Sequence, residues 1–259
     1  MSGDYQEWRV SGRLADRVEC VWQRTHAIEA VGAGSVGDAA GQDADGAGDT
    51  VLIVPDGCLD LVWMDDELVL VGADRSPRST EATAGRSTAG IRFRPGAAGS
   101  AMDLPASEVV DQQVPAELIW PAAAPPLIDD LVNAPQADLL GLLQRFVADL
   151  PGASDPLVTQ AARLLGDGDE RVSVVADRLG VSERQLHRRT TSAVGYGPKL
   201  LARVMRLQRL STLSEPSLAD LAYQAGYASQ AHMSDDVRAL TGMSPVRFLE
   251  YWRPAPALA

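Results

Sequence analysis

The chain has 259 residues, with 23 Lys+Arg against 35 Asp+Glu, a formal net charge of −12, two cysteines and three histidines. That length gives room for two domains, each able to bury a core, and the acidic balance argues against a protein that coats nucleic acid without regard to sequence. No stretch reads as a signal peptide or stays apolar long enough to span a bilayer, so the chain is expected in the cytoplasm, away from membranes, with Cys20 and Cys58 as free thiols.

In chain order, alternating apolar residues over 18–28 predict a strand and 50–54 a second, short one. Between them, 32–49 is rich in Gly, Ala and Asp and reads as a flexible solvated loop. Asp56-Gly57 makes a turn, after which 59–64 and 68–71 pair as a hairpin across Asp65-Asp66-Glu67. A strand over 91–94 is stopped by Pro95-Gly96. Residues 97–102 and 106–110 predict short helices, and 127–131 and 137–150 longer ones. Pro151-Gly152-Ala153-Ser154 marks a boundary, dividing the chain into 1–151 and 152–259. The first part holds 10 basic and 24 acidic residues, the second 13 and 11. An acidic first half repels DNA and suits a sensing or dimerising role.

The second half repeats one pattern twice. Ser173 can cap a helix whose Val174, Val175 and Leu179 share a face. Gly180 breaks it, Val181 plugs the turn, and Ser182 with Gln185 forms a capping box for the next helix. In that helix only Leu186 is strongly apolar, so Arg184, His187, Arg188 and Arg189 are left outside. Gly197-Pro198 opens a long helix to about residue 214, with Leu200, Leu201, Val204, Leu207 and Leu210 or Leu213 as its buried stripe. Then Ser217 caps 218–225, Gly226 turns, Tyr227 plugs, and Ser229 caps 230–240. Two helix-turn-helix units result, at about 172–193 and 217–240. Between Arg184 and Arg209 lie six Arg, one Lys and no acid, a basic strip suited to phosphates and guanine edges. Arginine in place of lysine and heavy Ala usage point to a GC-rich bacterial genome.

Residues 155–252 closely resemble the DNA-binding domain of AraC/XylS-type transcription regulators. The carrying residues are Leu179-Gly180-Val181-Ser182-Glu183-Arg184-Gln185-Leu186-His187-Arg188-Arg189, Leu218-Ala219-Asp220-Leu221-Ala222 with Gly226-Tyr227-Ala228-Ser229-Gln230-Ala231-His232, and Leu240-Thr241-Gly242-Met243-Ser244-Pro245. The resemblance implies an all-α domain that binds double-stranded DNA, with RNA polymerase a partner if the protein activates. The expected DNA contacts are Ser182, Arg184, Gln185, His187, Arg188, Arg189, Lys199, Arg203, Ser229, Gln230, His232 and Arg238. Thr190, Met233 and Asp235 depart from the family's usual residues. Asp235, followed by Asp236, puts carboxylates where an Arg is common. They would repel phosphates, so the first unit is expected to do most of the base reading.

Val54-Pro55-Asp56-Gly57-Cys58-Leu59-Asp60-Leu61-Val62-Trp63 and Gly90-Ile91-Arg92-Phe93-Arg94-Pro95-Gly96-Ala97-Ala98 resemble an uncharacterised module that precedes this DNA-binding domain in a subgroup of regulators. It implies a small β-rich, cupin-like sensor, and an α+β chain of two domains overall. Trp22, Trp63, Arg92 and Phe93 could line an effector pocket, although aromatic residues on strands are more often core. No catalytic constellation is visible: Asp56 and Asp60 flank an ordinary turn, and the glycines of 32–48 lack a phosphate-loop ending. Cys20, Cys58 and His26 have no metal-ligand spacing, and no cofactor is implied. Beside effector control stand two alternatives. One is a ligand-independent regulator whose first half forms a homodimer or contacts another protein. The other is a thiol redox sensor using Cys20 and Cys58.

Overall fold

A computed structural model describes residues 3–26, 50–81, 87–167, 171–214 and 217–252. Among these residues lie eight strands: β1 (Gly3–Trp8), β2 (Val18–His26), β3 (Thr50–Ile53), β4 (Asp60–Met64), β5 (Glu67–Val71), β6 (Arg78–Glu81), β7 (Ser87–Phe93) and β8 (Gln113–Pro115). Six form an antiparallel sheet in the order β1-β2-β7-β4-β5-β8, and β3 pairs with β6 in a second, two-stranded sheet. The N-terminal region is thus β-rich and the C-terminal region helical. The loop expected over 32–49 lies outside the described residues.

The β4–β5 hairpin turns on Asp65 and Asp66 alone. Both adopt positive φ (50° and 64°), as a two-residue hairpin loop requires, and Glu67 joins β5 opposite Met64. Ile91, Phe93, Leu61, Trp63, Leu68 and Leu70 are buried on the face where the helix Leu139–Asp149 packs against β7. β1, β6 and β8 were not foreseen. Glu7 and Gln6 in the exposed strand β1, the sequence Arg78–Glu81, and three residues ending in Pro115 lack an apolar alternation.

The helices are α1 (Gly99–Met102), α2 (Ala116–Ile119), α3 (Ala124–Asn133), α4 (Leu139–Asp149), α5 (Pro156–Asp167), α6 (Val172–Arg178), α7 (Glu183–Val194), α8 (Pro198–Thr212), α9 (Leu218–Gln224), α10 (Gln230–Thr241) and α11 (Pro245–Trp252). The helix expected over 106–110 is a single 3-10 turn, Ala106–Glu108, entered from Pro105. The one expected over 97–102 shortens to α1, ended by Asp103 in a left-handed conformation. One buried apolar core runs from Leu14 in the first half through Leu249 in the second, without a break at residue 151.

Candidate nucleic-acid interface

The first helix-turn-helix is α6, a turn and α7. Ser173 is not the N-cap of α6: Arg171 occupies that position and the helix begins at Val172. Starting there turns Val172, Val175, Ala176 and Leu179 inward and Val174 outward, correcting the expected stripe. Gly180 takes the left-handed conformation (φ 67°), and the Val181 amide donates to the Ala176 carbonyl. Ser182 caps α7 as foreseen. Its Oγ accepts from the Gln185 amide at 3.2 Å, and Gln185 Oε1 accepts from the Ser182 amide at 2.9 Å. Leu186, Thr190, Ala193 and Val194 bury the back of α7. Arg184, His187 and Arg188 stay on its exposed side. His187 lies over Gly197, where an added Cβ would sit 2.7 Å from Nε2.

The second unit is α9, a turn and α10, with Gly226 left-handed (φ 84°) and Tyr227 buried. Ser217 and Ser229 are both N-caps: their Oγ atoms accept from the Asp220 and His232 amides at 3.1 Å. Met233, Asp236, Val237, Leu240 and Thr241 form the inward face of α10. Asp236 therefore lies on the buried face of α10, away from its exposed side. It receives Arg203 Nε at 2.8 Å, Arg206 Nη2 at 3.5 Å and His232 Nε2 at 3.8 Å, tying α10 to α8. Arg206 lies over the Tyr227 ring, 5.4 Å from its centroid, and the His232 ring meets Tyr227 edge-on. Asp235 is the outward carboxylate, beside Arg238 at 3.8 Å. Helical spacing could have shown this, since Asp236 sits three residues after Met233 and four before Leu240.

α8 connects the two units. Pro198 opens it, and Leu201, Ala202, Val204, Leu207 and Leu210 are its buried stripe, with Leu200 and Leu213 only partly covered. Its fifteen residues span about 22 Å at 1.5 Å each. The basic strip between Arg184 and Arg209 is largely committed inside the molecule. Arg189 forms a bidentate pair with Asp155, Nε at 2.8 Å from Oδ2 and Nη2 at 2.6 Å from Oδ1, which holds its guanidinium more firmly protonated than usual. Arg203 and Arg206 go to Asp236, and Arg209 donates to the Gly166 and Asp167 carbonyls at the end of α5. Arg184, Arg188 and Lys199 are exposed and make no ion pair among the described residues.

The four N-terminal candidates do not share one pocket. The registers Trp22↔Gly90, Cys20↔Arg92, Val62↔Gly90 and Trp63↔Ala89 put Trp22 and Arg92 on one face of the sheet and Trp63 and Phe93 on the other. Trp63 and Phe93 are core, at 5% and 0% exposure. Arg92 is the centre of an ion cluster: Asp56 Oδ2 at 3.1 Å, Asp60 Oδ2 at 3.2 Å and Glu7 Oε1 at 3.5 Å. Trp22 Nε1 donates to the same Asp60 oxygen at 3.2 Å. Burial, opposed by Arg92 and reinforced by Asp60, pushes the Asp56 carboxyl up to about 6. Both cysteines are free. Burial pushes the Cys20 thiol up to about 12 and the Cys58 thiol well above its usual value, so neither is a ready thiolate.

The 56–58 turn rests against the second half. A Cβ on Gly57 would lie 2.9 Å from Met205, 3.3 Å from Leu201 and 3.7 Å from Tyr196 Oη. Gln208 Nε2 donates to the Pro55 carbonyl at 3.0 Å, and Tyr251 Oη accepts from the Leu52 amide at 3.2 Å. An open cleft of about 540 Å³ lies along this seam, lined by residues that include Glu19, Arg94, Thr159, Arg163, Met205 and Arg209. No described helix is long and apolar enough to cross a membrane.

Comparison with known proteins places these elements. Residues 175–251 match the family described as a helix-turn-helix domain, and 6–115 match a domain of unknown function, DUF6597. A probable bifunctional transcriptional activator/DNA repair enzyme AlkA of Mycobacterium tuberculosis is 39% identical over 88 residues, which are 32% of this chain and only 18% of that protein. Among solved structures, ToxT from Vibrio cholerae is similar at 12% identity and a TM-score of 0.45, over 98% of this chain and 99% of that one. A Chromobacterium violaceum regulator with an AraC-type DNA-binding domain is 23% identical, with a TM-score of 0.35, over 39% of this chain and 96% of that one.

Proposed function

We infer that this chain, whose residues 175–251 match a helix-turn-helix domain family, is a sequence-specific transcription regulator of the AraC type whose DNA readers are α7 and α10. One observation carries the reading: both helices are serine-capped, buried along their backs, and open on polar side chains at their first turns. That is the presentation a recognition helix needs to enter a major groove. Arg184, Gln185, His187 and Arg188 are the base and phosphate contacts of the first unit, with Lys199 beside them. Gln230, His232 and Arg238 serve the second. The hydroxyls of Ser182 and Ser229 cap their helices, which supports a role in aiming rather than reading. The strut α8 fixes the separation of the two readers. The division of labour falls near Pro151-Gly152, with residues 1–151 as the controlling half.

Effector control is supported by the Arg92 cluster, because its Asp56 lies in the turn that rests on Leu201 and Met205 of α8. A small molecule competing for Arg92 or its carboxylates would act next to the strut. Footprinting the full chain on its own upstream region, with gel shifts at two salt concentrations, tests the DNA reading. A protected site lost on Arg184→Ala supports it, and a folded chain without preference for any duplex sinks it.

A further inference from the structure

The segment expected to mark a boundary, Pro151 to Ser154, is held at almost every residue. Arg17 donates to the Leu150 and Pro151 carbonyls at 2.9 and 3.3 Å. Gly152 has φ 87°, and a Cβ there would sit 2.3 Å from the Ser100 carbonyl oxygen, so only glycine fits. Ser100 Oγ donates to the Ala153 carbonyl at 2.6 Å, and Ser154 Oγ to the Asp16 carbonyl at 2.8 Å. This strap ends on Asp155.

Asp155 touches three bodies at once. Its amide donates to the Gly96 carbonyl at 3.0 Å, just beyond the end of β7. Its Oδ1 accepts from the Leu157 and Val158 amides at 3.0 and 3.3 Å, capping α5. The same carboxylate grips Arg189 of α7 through both oxygens. An Arg–carboxylate fork fixes direction as well as distance, which a single hydrogen bond does not. The far end of α7 meets the N-terminal half a second time, where Gly195 packs on Val110 and Ala106.

We propose that Asp155 is a positioning residue, setting the pose of the first reader helix relative to the N-terminal half, with Arg189 as its clamp and not a DNA contact. The proposal rests on the reading of α7 as a DNA reader. It gives the first half a route to the reader: β7 carries Arg92, the turn that follows it carries Gly96, Gly96 holds Asp155, and Asp155 holds α7.

The test uses the full chain, a selected cognate duplex and a scrambled one, over four salt concentrations and well below the melting temperature. Arg189→Ala and Asp155→Asn are each expected to weaken cognate binding about tenfold, within the range of coupled pairs. Affinity for the scrambled duplex and the salt slope should stay as in the parent, and the double variant should be no worse than either single one. Arg189→Lys, which keeps the charge but loses the fork, should fall between and serves where Asp155→Asn folds poorly. A slope shallower by about 0.9 in Arg189→Ala would mark a lost phosphate contact and overturn the proposal. Unchanged cognate affinity in folded variants would reduce the pair to a purely structural one and overturn it equally. A parent chain that binds no duplex refutes the DNA reading itself and this role with it.

Discussion

Removing the Asp236 carboxylate should destabilise the second reader more than any exposed substitution on α10. Asp236 is 7% exposed, Arg206 has 14% of its side chain open and Arg203 37%. Asp236→Ala leaves two neighbouring guanidinium groups of α8 at the α8–α10 contact without their shared anion. Breaking a buried pair costs about 3–5 kcal/mol, and the partial exposure of Arg203 pulls the figure towards the lower end, about 3 kcal/mol. For a chain of this size that corresponds to roughly 6–12 °C in melting temperature, readable by scanning calorimetry or dye-monitored melting. Asp236→Asn keeps an acceptor for Arg203 and should lose about half as much. In Arg203→Met/Arg206→Met/Asp236→Leu the charges leave together, so most of the stability should return. An Asp236→Ala chain melting within about 2 °C of the parent would refute the view that this carboxylate joins the second reader to the strut.

Arg184→Ala and Arg188→Ala should each cost about 1–3 kcal/mol on a cognate duplex and relax preference at one or two positions, read by competition gel shifts. His232→Ala should cost less, since its ring is already engaged with Tyr227 and Asp236; a larger loss than for Arg184→Ala would reverse the ranking of the two units. A mild oxidant should leave DNA binding unchanged, because burial holds both thiols protonated; a reversible loss abolished by Cys20→Ser or Cys58→Ser would restore the redox reading. Asp56 has a carboxyl raised from 3.8 to about 6, so the folded chain binds its proton more tightly than the unfolded one. Its contribution is fully favourable below about pH 4 and is lost as pH rises through about 6. The stability of Asp56→Asn relative to the parent, from denaturant titrations at pH 4.5 and 7.5, should improve at the higher pH; a constant difference would contradict the shift.

The helix-turn-helix units were legible because capping, turn and apolar spacing agree: Ser182 with Gln185, Gly180, Leu186, and the same order again from Ser217. Local chemistry determines those features, and one helix suffices to display them. What could not be read was which arginines the fold consumes. Arg189 and Arg203 look like their neighbours in sequence, and only the distant Asp155 and Asp236 distinguish them. The strand β7 was partly legible through Ile91 and Phe93, but the split of Trp22 and Arg92 from Trp63 and Phe93 depends on cross-strand register, which no single strand encodes. β1 and β6 escaped because their side chains carry little alternation and their pairing is supplied by partners elsewhere in the chain.

The seat of the 56–58 turn on α8 bears on how such a protein can diverge. Leu201, Met205 and Gln208 belong by position to the DNA-binding half, yet they face Gly57 and Pro55 of the other. A chimera cut at residue 151 would carry these side chains to a new first half shaped for different ones. Grafting a foreign sensor onto these readers would therefore succeed only if that flank of the strut travelled with the sensor. Recombination between such regulators would have to respect a boundary drawn along a helix face, not at a point in the chain.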